Sequence, residues 1–195
     1  MFGAIFELIK SWVGLCLAGL AIKFLDDYLD QEEDDTGNLT LAVRLGPGVL
    51  AYALLLYALG TQLSQWSFSI FLASYACGML GTNDWLLPIG TPAWLETAVV
   101  LLLGLVLCGW NEMLSSFLMI LGIHLLDDVI DTQIQGTQAK TNNLVHQWGR
   151  VETLILGILL TLLSLLSAPI KTTLTWLALP VVLYIASNPQ IAGKR

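Results

Sequence analysis

The chain has 195 residues, of which 56% are hydrophobic and only 12% charged, with a mean hydropathy of +0.75. Soluble domains carry about 25% charge, so a soluble single-core domain is excluded, as are a disordered chain and a nucleic-acid binder. The net charge of -7 is local: seven acids lie in residues 26–35 and three in 127–131, and the other five stand against eight Lys and Arg.

A membrane-crossing helix needs about 20 mostly apolar residues. Seven segments meet or approach that length: residues 2–25, 47–65, 66–80, 93–109, 113–130, 151–168 and 172–187. The N-terminus has no basic region before its apolar run and no small-residue cleavage site after it, so it reads as a first membrane helix and not a signal peptide. Gly46-Pro47 suits a helix start, where proline lacks only a donor that would be unpaired anyway. Residues 81–92 (GTNDWLLPIGTP) read as a loop, and Ala168-Pro169 divides the last two helices. The expected fold is all-α: a polytopic transmembrane bundle of about seven helices. It forms one domain over residues 1–195, with halves at about 1–92 and 93–195.

Orientation follows from Lys and Arg. With the N-terminus outside, both acidic clusters fall on the cytoplasmic side, with Lys23, Arg44, Lys140, Arg150, Lys194 and Arg195; Lys10 and Lys171 fall opposite. Cys16, Cys77 and Cys108 lie in apolar stretches without CxxC spacing and read as small buried hydrophobes. The seven Trp residues sit mostly near predicted helix ends, as an aromatic belt does.

The chain repeats itself. Residues 22–30 read IKFLDDYLD and residues 123–131 read IHLLDDVID. A polar stretch, a Thr (Thr40, Thr141) and a Gly (Gly46, Gly149) follow each copy before the next apolar segment. Two parallel pseudo-repeats would bring both acidic helix ends to one face, which points to a site where the halves meet.

Helical periodicity gathers the acids. At about 100° per residue, Asp30, Asp34 and Asp27 lie roughly 40°, 80° and 100° from Asp26. Asp127, Asp131 and Asp128 take the same angles in the second copy, with Gln135 in the place corresponding to Asp34. Like charges four residues apart destabilise a helix, and carboxylates at a bilayer edge are costly to desolvate. The nearby bases are too few to neutralise ten acids. A cation is the simplest remedy. Mg²⁺ takes oxygen ligands and keeps phosphates in its shell, so two carboxylate rows suit a diphosphate held through Mg²⁺. The leaving group's charge would be drawn off by the metal. Lys23, Arg44, Lys140 and Arg150 are placed to contact remaining phosphate oxygens. Glu32, Glu33 and Asp35 read as a solvated acidic loop.

These two DDxxD copies resemble the motifs of the UbiA-type intramembrane prenyltransferases. Residues 26–34 are similar to the family's NDxxDxxxD, with Asp26 where Asn is usual, and residues 127–131 to its DxxxD. Gly136, Lys140 and Thr141 resemble the polar loop that follows. The likeness spans roughly residues 3–187. It implies an Mg²⁺-dependent transferase of isoprenoid biosynthesis that ionises a polyprenyl diphosphate to an allylic carbocation. A lipophilic acceptor, such as a quinone precursor, then attacks that cation. By this resemblance Asp26, Asp27, Asp30, Asp34, Asp127, Asp128 and Asp131 form the catalytic set, all but Asp128 as metal ligands. Lys23, Tyr28, Arg44, Lys140 and Arg150 would bind substrate. The chain departs from the family in its seven expected helices, where nine are usual, and in Gln135.

Several features keep other readings open. Tyr28 could contact the diphosphate or face lipid headgroups. His124 and His146 have no metal-ligand partner at helical spacing and read as structural. Glu96 and Asn111-Glu112 fall on the opposite side as turn and interface residues. A competing function is a non-catalytic UbiA-like membrane subunit that binds a lipid, a pigment or a partner protein completing the bundle. Another membrane transferase acting on a phosphate-containing substrate is a third option, although the Asp-Gly phosphatidyltransferase pattern is absent. No GxGxxG, Walker loop or nucleophile elbow occurs.

Overall fold

The structure, a computed structural model, describes residues 2–29, 41–79, 92–135 and 144–187. Among the described residues the chain is helical and contains no strand. The elements are α1 (Phe2–Leu29), α2 (Leu41–Leu45), a 3₁₀ turn (Gly46–Gly48), α3 (Val49–Leu63) and α4 (Trp66–Met79). They continue with α5 (Ala93–Cys108), α6 (Trp110–Gln135), α7 (Leu144–Trp148), α8 (Arg150–Ser167) and α9 (Pro169–Ser187). A helix satisfies every interior backbone donor and acceptor within itself, which is what an apolar run requires in a bilayer.

Each of the seven predicted apolar segments falls on a helix. Five spans are long and apolar enough to cross a membrane: Phe2–Leu29, Gly46–Leu63, Trp110–Gln133, Arg150–Ser167 and Pro169–Ser187. This is a multi-pass membrane protein. At about 1.5 Å per residue, α4 and α5 reach only about 21 and 24 Å, short of the roughly 30 Å hydrocarbon core. Ala168 and Pro169 divide α8 from α9 as expected, because Ala168 leaves helical geometry and Pro169 opens the next helix. Most of the predicted loop at 81–92 lies outside the described residues; its last residue, Pro92, precedes α5.

The chain divides into two compact units, Met1–Phe71 with Thr173–Arg195, and Leu72–Thr172. The first unit takes in most of α9, and the boundary at 71/72 falls within α4. In that unit α1 packs along α3. Leu20, Ala21 and Phe24 of α1 form a core with Leu41 and Ala42 of α2, Val49 and Ala53 of α3, and Val182 and Ala186 of α9. Small residues allow the backbones to approach closely, the usual basis of helix packing in lipid. A Cβ at Gly60 would lie 2.9 Å from the Gly14 carbonyl oxygen and 3.1 Å from the Ala18 nitrogen. Gly60→Ala is therefore expected to destabilise the fold by about 1–3 kcal/mol through overpacking. The reading is a lower unfolding midpoint in detergent. Gly3→Ala, where the added carbon meets nothing within 4 Å, should leave the midpoint in place.

In the other unit α6 packs along α8, with α5 beside α6. Gly122 and Gly157 make the close crossing here: a Cβ at Gly122 would lie 3.1 Å from the Gly157 carbonyl oxygen. The two units share a local plan. Among the described residues, a long helix is followed by a five-residue helix, then by a glycine with positive φ, then by a returning helix. The glycines are Gly46 (φ 55°) and Gly149 (φ 94°), in a region that side chains disfavour.

Two Trp residues depart from the belt pattern. Trp12 and Trp176 lie inside α1 and α9, and their indole Nε1 atoms are buried without an acceptor among the described residues. The three cysteines are free; Cys16 and Cys77 are buried and Cys108 is half-buried.

Candidate functional site

The first acidic helix end belongs to α1. Its apolar run places Phe24 in the core, and the helix continues through Asp26 and Asp27 to Leu29. Asp26 is exposed (52%) and Asp27 is turned inward (9%). Lys23 lies one turn earlier and bridges both: its Nζ is 3.0 Å from Asp26 Oδ2 and 2.9 Å from Asp27 Oδ1. Lys23, expected to assist a diphosphate, is thus engaged by its own cluster. Tyr28 packs against the core of its unit. Arg44 stands exposed on α2. Asp30 and Asp34 lie outside the described residues.

The second end belongs to α6 and repeats the pattern of exposure. Asp127 is exposed, whereas Asp128 and Asp131 are partly buried. Asp128 does what the sequence did not show: its Oδ2 accepts a hydrogen bond from the backbone N–H of Leu144 at 3.1 Å. That N–H belongs to the first residue of α7, where a helix has no internal acceptor to offer. Thr132 Oγ1 donates to the Asp128 carbonyl at 2.7 Å. Arg150, His124 and His146 are exposed. Lys140 lies outside the described residues, as do Gly136 and Thr141.

The carboxylate set fits a hard divalent cation in its chemistry, because every donor is an anionic oxygen. Among the described residues, no three or more His, Cys, Asp or Glu side chains are gathered as a metal-binding group. Asp26, Asp27, Asp127 and Asp131 are the described members of the expected ligand set.

The sequence reading missed a second polar centre, at the opposite end of α6. Lys171, on the first turn of α9, is 1% exposed. Its Nζ donates to Glu112 Oε1 at 2.9 Å, to the Glu112 carbonyl at 3.1 Å and to Ser116 Oγ at 3.1 Å, and it also contacts Ser115 Oγ. Ser164 Oγ donates to the Ser115 carbonyl at 3.0 Å and lies 2.9 Å from Thr172 Oγ1. A hydroxyl has one proton, so the Thr172 hydroxyl donates to Ser164. The sequence signal was that Glu112 and Lys171 are isolated charges beside apolar runs on the same expected side; their pairing spans 59 residues.

Comparison with known proteins finds no family model, no curated protein and no solved structure that matches this chain.

Proposed function

We propose that the chain is an Mg²⁺-dependent membrane prenyltransferase on a reduced UbiA-like plan with two pseudo-repeats. It moves a polyprenyl group from its diphosphate to an aromatic or other lipophilic acceptor. One observation carries the reading. Asp26-Asp27 and Asp127-Asp128 lie near the ends of long helices, and in each unit the next described elements are a five-residue helix, a positive-φ glycine and a returning helix. An arginine stands at each joint, Arg44 before Gly46 and Arg150 after Gly149.

Asp26, Asp27, Asp30, Asp34, Asp127 and Asp131 would hold the metal. Bound Mg²⁺ supplies positive charge to the leaving diphosphate. Arg44, Lys140 and Arg150 bind its remaining oxygens. The allylic C–O bond breaks and its electron pair leaves with the diphosphate. A nucleophilic atom of the acceptor bonds to the allylic carbon and a proton is released from the acceptor. Apolar helix surfaces house the prenyl tail and keep water from the cation.

Charge supports a cytoplasmic position for the acidic ends. Lys171 is buried against Glu112 and so does not act as a loop charge. Lys10 then stands alone on the opposite side, itself paired with Glu7 at 3.2 Å.

A non-catalytic subunit of the same plan is the second reading. Lys23 favours it, because it already neutralises part of the first cluster from within the chain. The test uses the purified chain in detergent with a polyprenyl diphosphate, with and without Mg²⁺. The transferase reading expects an Mg²⁺-dependent rise in the unfolding midpoint and release of diphosphate when an acceptor is added. Binding without product from any acceptor selects the subunit. No Mg²⁺-dependent binding sinks the transferase.

A further inference from the structure

We infer that Asp128 is a positioning residue and not a metal ligand: its carboxylate ties α7, and through α7 the start of α8 with Arg150, to the acidic end of α6. In its link to Arg150's task this rests on the transferase reading; the tie itself does not.

The tie is built from bonds at both ends of α7. At the front, Asp128 Oδ2 accepts from Leu144 N–H at 3.1 Å. At the back, Gly149 N–H donates to the Val145 carbonyl at 3.0 Å. The Gly149 carbonyl in turn accepts from Thr153 N–H at 3.1 Å and from Thr153 Oγ1 at 2.7 Å. Thr153 is fully buried and Val145 is buried. Between these bonds lie only the five residues of α7, which contact both α6 and α8. A helix this short does not hold its own shape, since nucleation fixes several dihedrals for one hydrogen bond. Its placement therefore comes from what grips its ends, and Arg150 follows directly after Gly149. The neighbouring carboxylate differs: Asp127 is exposed, while Asp128 is partly buried. Backbone capping needs an acceptor oxygen and not a full charge, whereas metal ligation by this motif needs the charge.

That difference defines the experiment. Asp128→Asn keeps an acceptor and removes the charge; Asp128→Ala removes both. Hydrogen exchange of the α7 amides in detergent is expected to match wild type in D128N. In D128A it should run about tenfold faster, the scale of one lost hydrogen bond. With Mg²⁺ and a polyprenyl diphosphate, D128N should bind within about twofold of wild type and D128A about tenfold more weakly. D127N serves as the loss-of-charge reference. The assignment is overturned if D128N binds as poorly as D127N, or if α7 exchange is unchanged in D128A. Should wild type bind no diphosphate, the transferase reading falls, and the exchange data alone decide whether Asp128 holds α7.

Discussion

Replacing Lys171 by Met is expected to destabilise the protein by about 3–5 kcal/mol, the scale seen when one partner of a buried ion pair is removed. The reason lies in what the substitution leaves behind. Lys171 offers three protons to four acceptors, two on Glu112 and one each on Ser115 and Ser116. Met fills similar volume but donates nothing. Glu112, 29% exposed, loses the ammonium group 2.9 Å from its Oε1. The Lys10–Glu7 pair gives the contrast. It is exposed and three residues apart, and such pairs contribute about 0–1 kcal/mol, so Lys10→Met should leave the midpoint nearly unchanged.

A double variant separates charge from packing. Lys171→Met with Glu112→Leu removes both ions together. Apolar replacement of a whole buried pair is often neutral, so the double variant should recover most of the stability that K171M loses. Unfolding midpoints in detergent for the four proteins of this cycle give the coupling directly. Additive single effects would show that the two side chains do not act as a pair.

The long helices were legible because charge-free runs of 12 or more residues leave the chain few alternatives in lipid. The five-residue helices α2 and α7 were not, because their stretches are polar-flanked and too short for a period to register. Helical spacing identified the aspartates and predicted their shared face, yet exposure splits them: Asp26 and Asp127 outward, Asp27 and Asp128 inward. The Lys23 bridge was readable in principle, since Lys three and four residues before Asp is a local pairing. By contrast, the bond from Leu144 to Asp128 spans 16 residues and that from Lys171 to Glu112 spans 59. Tertiary packing determines such partners, and no periodicity encodes them.

Asp127→Asn is the substitution expected to remove chemistry while sparing the fold. Asp127 is exposed at the end of α6, so its loss disturbs no core, and surface changes of this kind shift stability by about 0.5 kcal/mol or less. Asn preserves size and helical fit but removes the negative charge. If Asp127 holds Mg²⁺ beside the diphosphate, that charge acts where the leaving group develops its own, and turnover should fall about a hundredfold or more. The apparent Mg²⁺ requirement should rise as well, because one anionic ligand is missing from the set. Asp26→Asn tests the other helix end. It is expected to cost a similar factor and to leave Lys23 bridged to Asp27 alone. Prenyl transfer rates at several Mg²⁺ concentrations, with unfolding midpoints measured on the same preparations, decide the matter. Wild-type turnover in either folded variant would remove that aspartate from the site, and wild-type turnover in both would remove the acidic helix ends from the chemistry altogether.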